Sequence, residues 1–150
     1  MAAMARPQQS LTQFRTDPTY LGDGTYSRVF KFQIPQGPLV ARKQFHPGFK
    51  DDKDFEAATM LKVGLHQNVV RLISQGEMFI DFELLPKRDL HVFRHSPEYK
   101  TITSKQVIDI IQGCLHGLDH IHKALNMAHF DIKPANILLT NQLLPKIADL

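Results

Sequence analysis

A short polar stretch near the end of the chain limits most strongly what this sequence can fold into. The stretch His129–Asn136 places a carboxylate at Asp131, an ammonium group at Lys133 and an amide at Asn136, and Asp149 follows nearby. These residues supply a potential base, a cation and two oxygen ligands for a hard metal ion. A proline and the lack of apolar periodicity predict a loop here. The loop lies between a long amphipathic helix and a small hairpin, so the fold has to join these two elements.

The composition predicts an ordinary globular protein. The chain has 150 residues, of which 43% are hydrophobic, enough for one domain with a core. No apolar run has the length of a membrane span, and residues 1–7 lack the apolar centre of a secretory signal. Basic residues are scattered, which argues against nucleic acid as a partner. Cys114 is the only cysteine, so we expect a protein of the cytoplasm or nucleus that is not secreted.

Segments with the alternating pattern of strands and segments with the spacing of helices follow one another along the chain. Their order predicts an α+β fold. Residues 1–18 are expected to form a flexible tail. The predicted elements are strands at Phe30–Ile34 and Leu39–Phe45, a helix at Asp51–Leu65, strands at Asn68–Ser74 and Met78–Leu84, a connector at Pro86–Arg88, a long helix over 105–123, and a hairpin of Ile137–Leu139 with Pro145–Ala148.

A glycine pair lies ahead of Phe30–Ile34, within the strand and turn pattern predicted from Tyr20 to Phe45. The segment consists of Leu21, Gly22, Asp23, Gly24, Thr25, Tyr26, Ser27, Arg28 and Val29. Glycines at this spacing form either an ordinary tight turn or a hairpin tip whose backbone amides approach phosphates. A P-loop or a dinucleotide-binding fold would require a helix directly after the glycines, and the sequence predicts a strand there.

Further motifs follow in a fixed order along the chain. Val40-Ala41-Arg42-Lys43 directs a small side chain and a lysine to one face of a strand, because alternate residues share a face. Glu56 lies on the predicted helix, and Phe82–Leu85 end the next strand pair. Together with the glycine segment and the loop at 129–136, these residues resemble the protein kinase family. The corresponding motifs of that family are G-x-G-x-x-G-x-V, V-A-I-K, H-R-D-x-x-x-x-N and D-F-G, the last matched by Asp149-Leu150.

The resemblance implies a protein kinase fold that binds ATP and Mg²⁺ and phosphorylates Ser or Thr of a protein. In that fold Asp131 orients the substrate hydroxyl, and Lys133 stabilises the transferred phosphoryl group. The position of Lys133 is typical of Ser/Thr-specific rather than Tyr-specific kinases. Asn136 and Asp149 hold Mg²⁺.

The resemblance also assigns the nucleotide contacts. Lys43 holds the α- and β-phosphates and pairs with Glu56, with Asp54 as a weaker rival for that pairing. The glycine segment covers the phosphates. The adenine slot is formed by apolar and hinge residues, namely Leu21, Val29, Ala41, Phe82, Glu83, Leu85 and Leu138.

Two residues depart from the family pattern. Ser27 replaces the third glycine of the loop, which stiffens the loop without blocking nucleotide cover. Phe130 replaces the arginine of H-R-D. Because that arginine receives the activation-loop phosphate, we expect no switching by phosphorylation of that loop. His116 and His120 lie at the i, i+4 spacing of zinc ligands, but no third ligand is placed beside them, so a metal there is not expected.

The resemblance predicts an incomplete kinase domain at 19–150, with a nucleotide-binding N-lobe of five antiparallel strands and helix C at 19–85 and a partial helical C-lobe at 86–150. Three functions fit this extent. The chain could be part of an active Ser/Thr kinase, a truncated mimic that inhibits another kinase through its exposed long helix, or an ATP-binding pseudokinase. The presence of all five charged or amide residues of the motif set argues against the pseudokinase.

Overall fold

The computed structural model describes residues 19–87, 89–127 and 131–149, so the predicted tail, Phe130 and Leu150 lie outside the described residues. The elements are β1 Tyr20–Asp23, β2 Ser27–Gln33, β3 Leu39–Phe45, α1 Lys50–Val63, β4 Leu72–Gln75, β5 Phe79–Glu83, α2 Leu90–Arg94, a 3₁₀ turn Pro97–Thr101, α3 Ser104–Leu125, a 3₁₀ turn Pro134–Asn136, β6 Ile137–Leu139 and β7 Pro145–Ile147. The five-stranded antiparallel sheet with its helices confirms the predicted α+β fold of kinase type.

The first five strands form one sheet in the order β1-β2-β3-β5-β4, with every neighbouring pair antiparallel. Helix α1 packs against this sheet through a core of Phe45, Ala57 and Ile80. Lys43 lies directly opposite Ile80 in the β3–β5 register, and Ala41 lies opposite Phe82. Both strands therefore present these residues on the face that α1 partly covers.

An ion pair between Arg42 and Asp81 joins β3 to β5. Arg42 lies between Ala41 and Lys43 in the sequence. Its guanidinium group donates to both carboxylate oxygens of Asp81, at 2.8 and 2.9 Å, and the Asp81 side chain is fully buried. Ser74 of β4 donates to the same carboxylate. The guanidinium lies 3.5 Å from the ring centroid of Phe32 and 3.7 Å from that of Phe79. The buried charge of Asp81 is therefore balanced by the guanidinium group of Arg42. These contacts fix the register of β3, β4 and β5.

The long helix α3 begins at a capping box. The hydroxyl of Thr103 accepts the backbone N–H of Gln106 at 3.1 Å, and the Gln106 side chain accepts the backbone N–H of Thr103 at 2.8 Å. The helix ends at Asn126, whose φ of 53° is left-handed. Apolar residues on one part of its surface are exposed, namely Val107, Ile108, Ile111 and Leu115. Among the described residues, no helix has the length and apolarity that crossing a membrane requires.

Two glycines let α3 lie close to the segment after α1 and to β7. A Cβ on Gly117 would lie 2.6 Å from the carbonyl oxygen of Asn68, and one on Gly113 would lie 2.5 Å from Cγ of Pro145. Asn68 is 1% exposed, and its side-chain amide donates to the carbonyl of Pro145 at 3.0 Å. The helix, the segment at 68–71 and the hairpin therefore share one tightly packed junction.

Some predicted boundaries were wrong. Strand β2 begins at Ser27 rather than Phe30, because Ser27 already pairs with Phe45 of β3. Strand β4 begins at Leu72 rather than Asn68, since residue Val69 forms only an isolated parallel bridge to Ile147. The sequence did not predict α2 or the 3₁₀ turn Pro97–Thr101. Both are too short to show a helical period of apolar residues.

Candidate active site

A cleft of about 940 Å³ is bounded by the five-stranded sheet and α1 on one side and by residues 131–149 on the other. Most of the residues predicted to bind the nucleotide line it, namely Leu21, Gly22, Asp23, Gly24, Thr25, Tyr26, Ser27, Val29, Ala41, Lys43, Phe82, Glu83, Leu85 and Leu138. Arg28 does not line the cleft. It pairs with Gln44 across β2 and β3, whereas Val29 pairs with Lys43. Because side chains alternate, Arg28 and Val29 lie on opposite faces of the sheet.

Lys43 is the centre of an ion-pair network. Its Nζ lies 2.7 and 2.9 Å from the two carboxylate oxygens of Glu56 and 2.9 Å from Oδ1 of Asp149. Asp54, the predicted rival, instead pairs with Lys50 at 2.6 Å. Burial works against the charge of Lys43, but the two carboxylates outweigh it, so the pKa of Lys43 lies above its usual value. The lysine is thus held as a cation facing the cleft.

In the polar loop, Asn136 and Lys133 both contact Asp131. The amide nitrogen of Asn136 donates to the backbone carbonyl of Asp131 at 2.9 Å and to its Oδ2 at 3.0 Å. Nζ of Lys133 lies 3.2 Å from the same carboxylate oxygen, although Lys133 itself is not part of the cleft lining. Asn136 is buried, and its nitrogen is used by Asp131. Its side-chain oxygen is therefore the atom left to bind a cation.

The hairpin brings Asp149 to the same place. The N–H of Ala148 donates to the carbonyl of Asn136 at 2.9 Å, and the next residue, Asp149, has a left-handed φ of 56°. Aspartate is among the residues that tolerate this conformation. Asn136 and Asp149 both line the cleft and offer a neutral amide oxygen and an anionic carboxylate. Such hard oxygen donors fit Mg²⁺, which commonly takes its other ligands from phosphates and water.

Glu83, the last residue of β5, is held by hydrogen bonds to Arg71. Its backbone N–H donates to the carbonyl of Arg71 at 2.9 Å, so this N–H is not available to an adenine ring. The Glu83 carboxylate accepts the N–H of Arg71 at 2.9 Å and also contacts Nζ of Lys146 at 2.8 Å. The Glu83 carbonyl and the backbone of Leu85 remain the groups expected to meet the base.

The cleft contains acidic and aromatic residues that the sequence did not single out. Asp51, Asp52 and Phe55 of α1 line it, and so does Asp89 beyond the hinge. Asp89 also accepts the N–H of Val92 at 2.8 Å and so caps α2. Acidic residues at the start of a helix suit the positive end of its dipole, and for Asp51 and Asp52 the sequence indicates no more than this. Asp89 belongs to no motif, and its place in the cleft follows from tertiary folding.

The histidines take a different arrangement from a metal site. His120 stacks on His66, with ring centroids 4.5 Å apart, and its Nε2 lies 2.8 Å from the carbonyl of Val63. Within the described ranges, no group of three His, Cys, Asp or Glu side chains has a geometry that could hold a metal ion.

Comparison with known proteins gives the family. Residues 16–150 match the model of the protein kinase domain. The chain belongs to the protein kinase family. This kinase chain is 32% identical over 143 residues to the rust resistance kinase Lr10 of Triticum aestivum, a match that covers 86% of the chain and 22% of that protein.

Two further relatives come from Arabidopsis thaliana. Cysteine-rich receptor-like protein kinase 46 is 32% identical over 136 residues, which cover 86% of the kinase chain and 22% of the relative. The G-type lectin S-receptor-like serine/threonine-protein kinase CES101 is 32% identical over 149 residues, which cover 92% of the chain and 17% of the relative. The chain thus spans about a fifth of the length of these relatives. The predicted family is confirmed, and the relatives support the serine/threonine class.

Proposed function

We propose that this kinase transfers the γ-phosphoryl group of ATP to Ser or Thr hydroxyls of a protein. The observation that carries the proposal is the position of Lys43, which contacts Glu56 and Asp149 at once. Residues far apart in sequence meet there at one cleft, with Asn136 holding Asp131 beside them. That arrangement suits phosphoryl transfer, which depends mainly on positioning and on stabilisation of negative charge.

Each residue has a distinct task in this proposal. Lys43 places its ammonium group against the α- and β-phosphates, and Glu56 keeps that group directed into the cleft. Asp131 orients the substrate hydroxyl and accepts its proton, and Lys133 balances charge on the transferred group. Asn136 and Asp149 would hold Mg²⁺, which when bound neutralises phosphate charge. The apolar slot around Ala41 and Leu138 suits a flat base.

The other functions receive less support. The exposed stripe of α3 is compatible with a kinase mimic that binds another kinase, but none of the three relatives named above is described as a mimic. The protein substrate, the cytoplasmic or nuclear location, the domain limits at 19 and 85, and the assignment of each site residue stay predictions. The absence of phosphorylation-loop switching, expected from Phe130, also stays a prediction.

Nucleotide binding tests the proposal directly. We expect Mg²⁺ and ATP together, at about a hundred times the dissociation constant, to stabilise the protein by about 2.7 kcal/mol and raise its melting temperature by roughly 5–10 °C. Replacing Asp149→Asn removes a charged metal ligand, so the part of the shift that requires Mg²⁺ should be lost. Thermal unfolding with ATP alone, with Mg²⁺ alone and with both together separates the part of the melting-temperature shift that requires Mg²⁺ from the part that does not. A wild-type protein that gains nothing from Mg²⁺ and ATP would contradict the proposed function.

The partner of Lys43 gives a second prediction. Glu56→Gln keeps the side-chain shape but removes the charge that holds Lys43, so we expect phosphoryl transfer to fall about 10- to 100-fold. Asp54→Asn, on the same helix, breaks the pairs of Asp54 with Lys50 and Lys53, which lie outside the network of Lys43, and is expected to change the rate less than about twofold. Steady-state transfer of labelled phosphate to a generic protein substrate measures both. An equal loss of phosphoryl transfer in the two variants would mean that any change of charge on α1 lowers the rate, and that Glu56 has no special role.

A further inference from the structure

His66 and His120 form a stacked pair at the junction of α1, α3 and the hairpin. Their ring planes differ by 21°, and the centroids lie 4.5 Å apart. Nε2 of His120 lies 2.8 Å from the carbonyl oxygen of Val63. Because a carbonyl oxygen only accepts hydrogen bonds, Nε2 of His120 must carry the hydrogen.

The hydrogen bond of His66 fixes the tautomer of that ring as well. Its Nδ1 accepts the backbone N–H of Asn68 at 3.0 Å, so Nδ1 holds a lone pair and the neutral ring carries its hydrogen on Nε2. Protonation of His66 would add a hydrogen to Nδ1. The acceptor would become a donor facing another donor, and the hydrogen bond to Asn68 would be lost.

Asn68 in turn holds the strand that precedes Asp149. Its side-chain amide donates to the carbonyl of Pro145 at 3.0 Å, and its own carbonyl accepts the N–H of Ile147 at 2.9 Å. Ile147 is followed directly by Ala148 and Asp149. A loss of the hydrogen bond at His66 can therefore shift Asn68, then β7, and so Asp149, the predicted metal ligand.

We propose that neutral His66 is a positioning residue, which holds Asn68 and through it the strand β7 that places Asp149, and that its protonation releases this strand. The proposal rests on the proposed function, since Asp149 matters here as a ligand of Mg²⁺ and ATP. His66 touches no reacting group. Its effect passes through the hydrogen bond to Asn68 and then through the two hydrogen bonds that join Asn68 to β7.

The surroundings of His66 favour its neutral form. Burial lowers the pKa of His66 below its usual value of 6.5, and the neighbouring His120 and His116 of α3 lower it further. Helix α1 contributes the carbonyl of Val63 to this junction, and β7 contributes Pro145 and Ile147. The unfolded chain takes up the proton at higher pH than the folded one. The stability that neutral His66 provides is therefore present above pH 6.5 and is lost as the pH falls below it.

The matched variant is His66→Asn, because the asparagine Oδ1 takes the place of Nδ1 as an acceptor but does not titrate. Between about pH 7.5 and about pH 5.5 we expect the wild type to lose on the order of 3 °C more in melting temperature than this variant. We also expect the dissociation constant for Mg²⁺ and ATP to rise roughly three- to tenfold more in the wild type, since titration of ATP itself affects both proteins equally. His122→Gln removes an exposed histidine of the same helix that is not one of the groups lowering the pKa of His66, and it should keep the wild-type dependence on pH.

Nitrogen NMR of the wild-type imidazoles provides a readout that needs neither nucleotide nor a variant. It should find His66 unprotonated at Nδ1 near neutral pH and titrating below the ordinary range. A proton on Nδ1, or the same loss of stability in His66→Asn as in the wild type, would overturn the proposal. A pH-dependent stability with an unchanged nucleotide affinity would overturn the link to Asp149. If Mg²⁺ and ATP fail to bind even at about pH 7.5, the proposed function fails, while the NMR and unfolding results still decide whether His66 holds β7.

Discussion

Replacing Asp131→Asn is expected to lower the rate of phosphoryl transfer about a thousandfold while nucleotide binding survives. The asparagine has the same size and can still accept the hydrogen bond from Asn136, now at 3.0 Å from Oδ2. It lacks the charge that attracts Lys133 and cannot take the proton of the substrate hydroxyl. General-base contributions of this kind are typically worth about 10²- to 10⁴-fold in rate.

The measurement combines two readouts on the same preparation. Turnover on a generic protein substrate should fall, whereas the melting-temperature gain with Mg²⁺ and ATP should stay near the wild-type value. Asp109→Asn is the matched control, because Asp109 is an exposed carboxylate on α3 that pairs with Lys105 at 2.7 Å, outside the cleft. Full turnover by the Asp131→Asn protein would exclude Asp131 as the base.

Local patterns were sufficient for the elements that carry the site. Alternation placed Ala41 and Lys43 on one face of β3, and the resemblance to the protein kinase family implied that Lys43 pairs with Glu56 rather than Asp54. The structure brings these groups together as expected, with Nζ of Lys43 at 2.7 Å from Glu56. Such predictions succeed because period and chain order are properties that a sequence states directly.

Long-range contacts explain what could not be predicted. The sandwich of Arg42 between two phenylalanines depends on Asp81, which is 39 positions away, and the hydrogen bond from Asn68 to Pro145 joins residues 77 positions apart. Neither pairing can be recognised from the order of apolar and polar residues around it in the sequence. Asp89 likewise enters the cleft only because the chain turns back after the hinge. The same limit applies to the His66–His120 stack, whose two rings come from different elements.

The junction of α3 with Asn68 should be the most sensitive point of the fold. In Gly117→Ala the new Cβ would lie 2.6 Å from a backbone oxygen and 3.0 Å from Cδ1 of Ile147. Alanine favours a helix over glycine by about 1 kcal/mol, but overpacking against a fixed backbone costs about 1–3 kcal/mol and sometimes more. Asn68 cannot easily move away, because its hydrogen bonds hold it to both His66 and β7. With the overpacking cost at its upper end of about 3 kcal/mol, we expect a net loss of about 2 kcal/mol and a melting temperature lower by roughly 4–8 °C.

Thermal and urea unfolding followed by circular dichroism measure this loss. The control is Gln112→Ala, an exposed position on the same helix, where alanine adds helix propensity without a clash and should leave stability within about 0.5 kcal/mol. Because Asn68 also holds β7, which leads to Asp149, the loss of stability should be accompanied by weaker binding of Mg²⁺ and ATP at temperatures where the variant is still folded. A Gly117→Ala protein as stable as the wild type would mean that α3 and residue 68 are separated by more than the 2.6 Å contact allows.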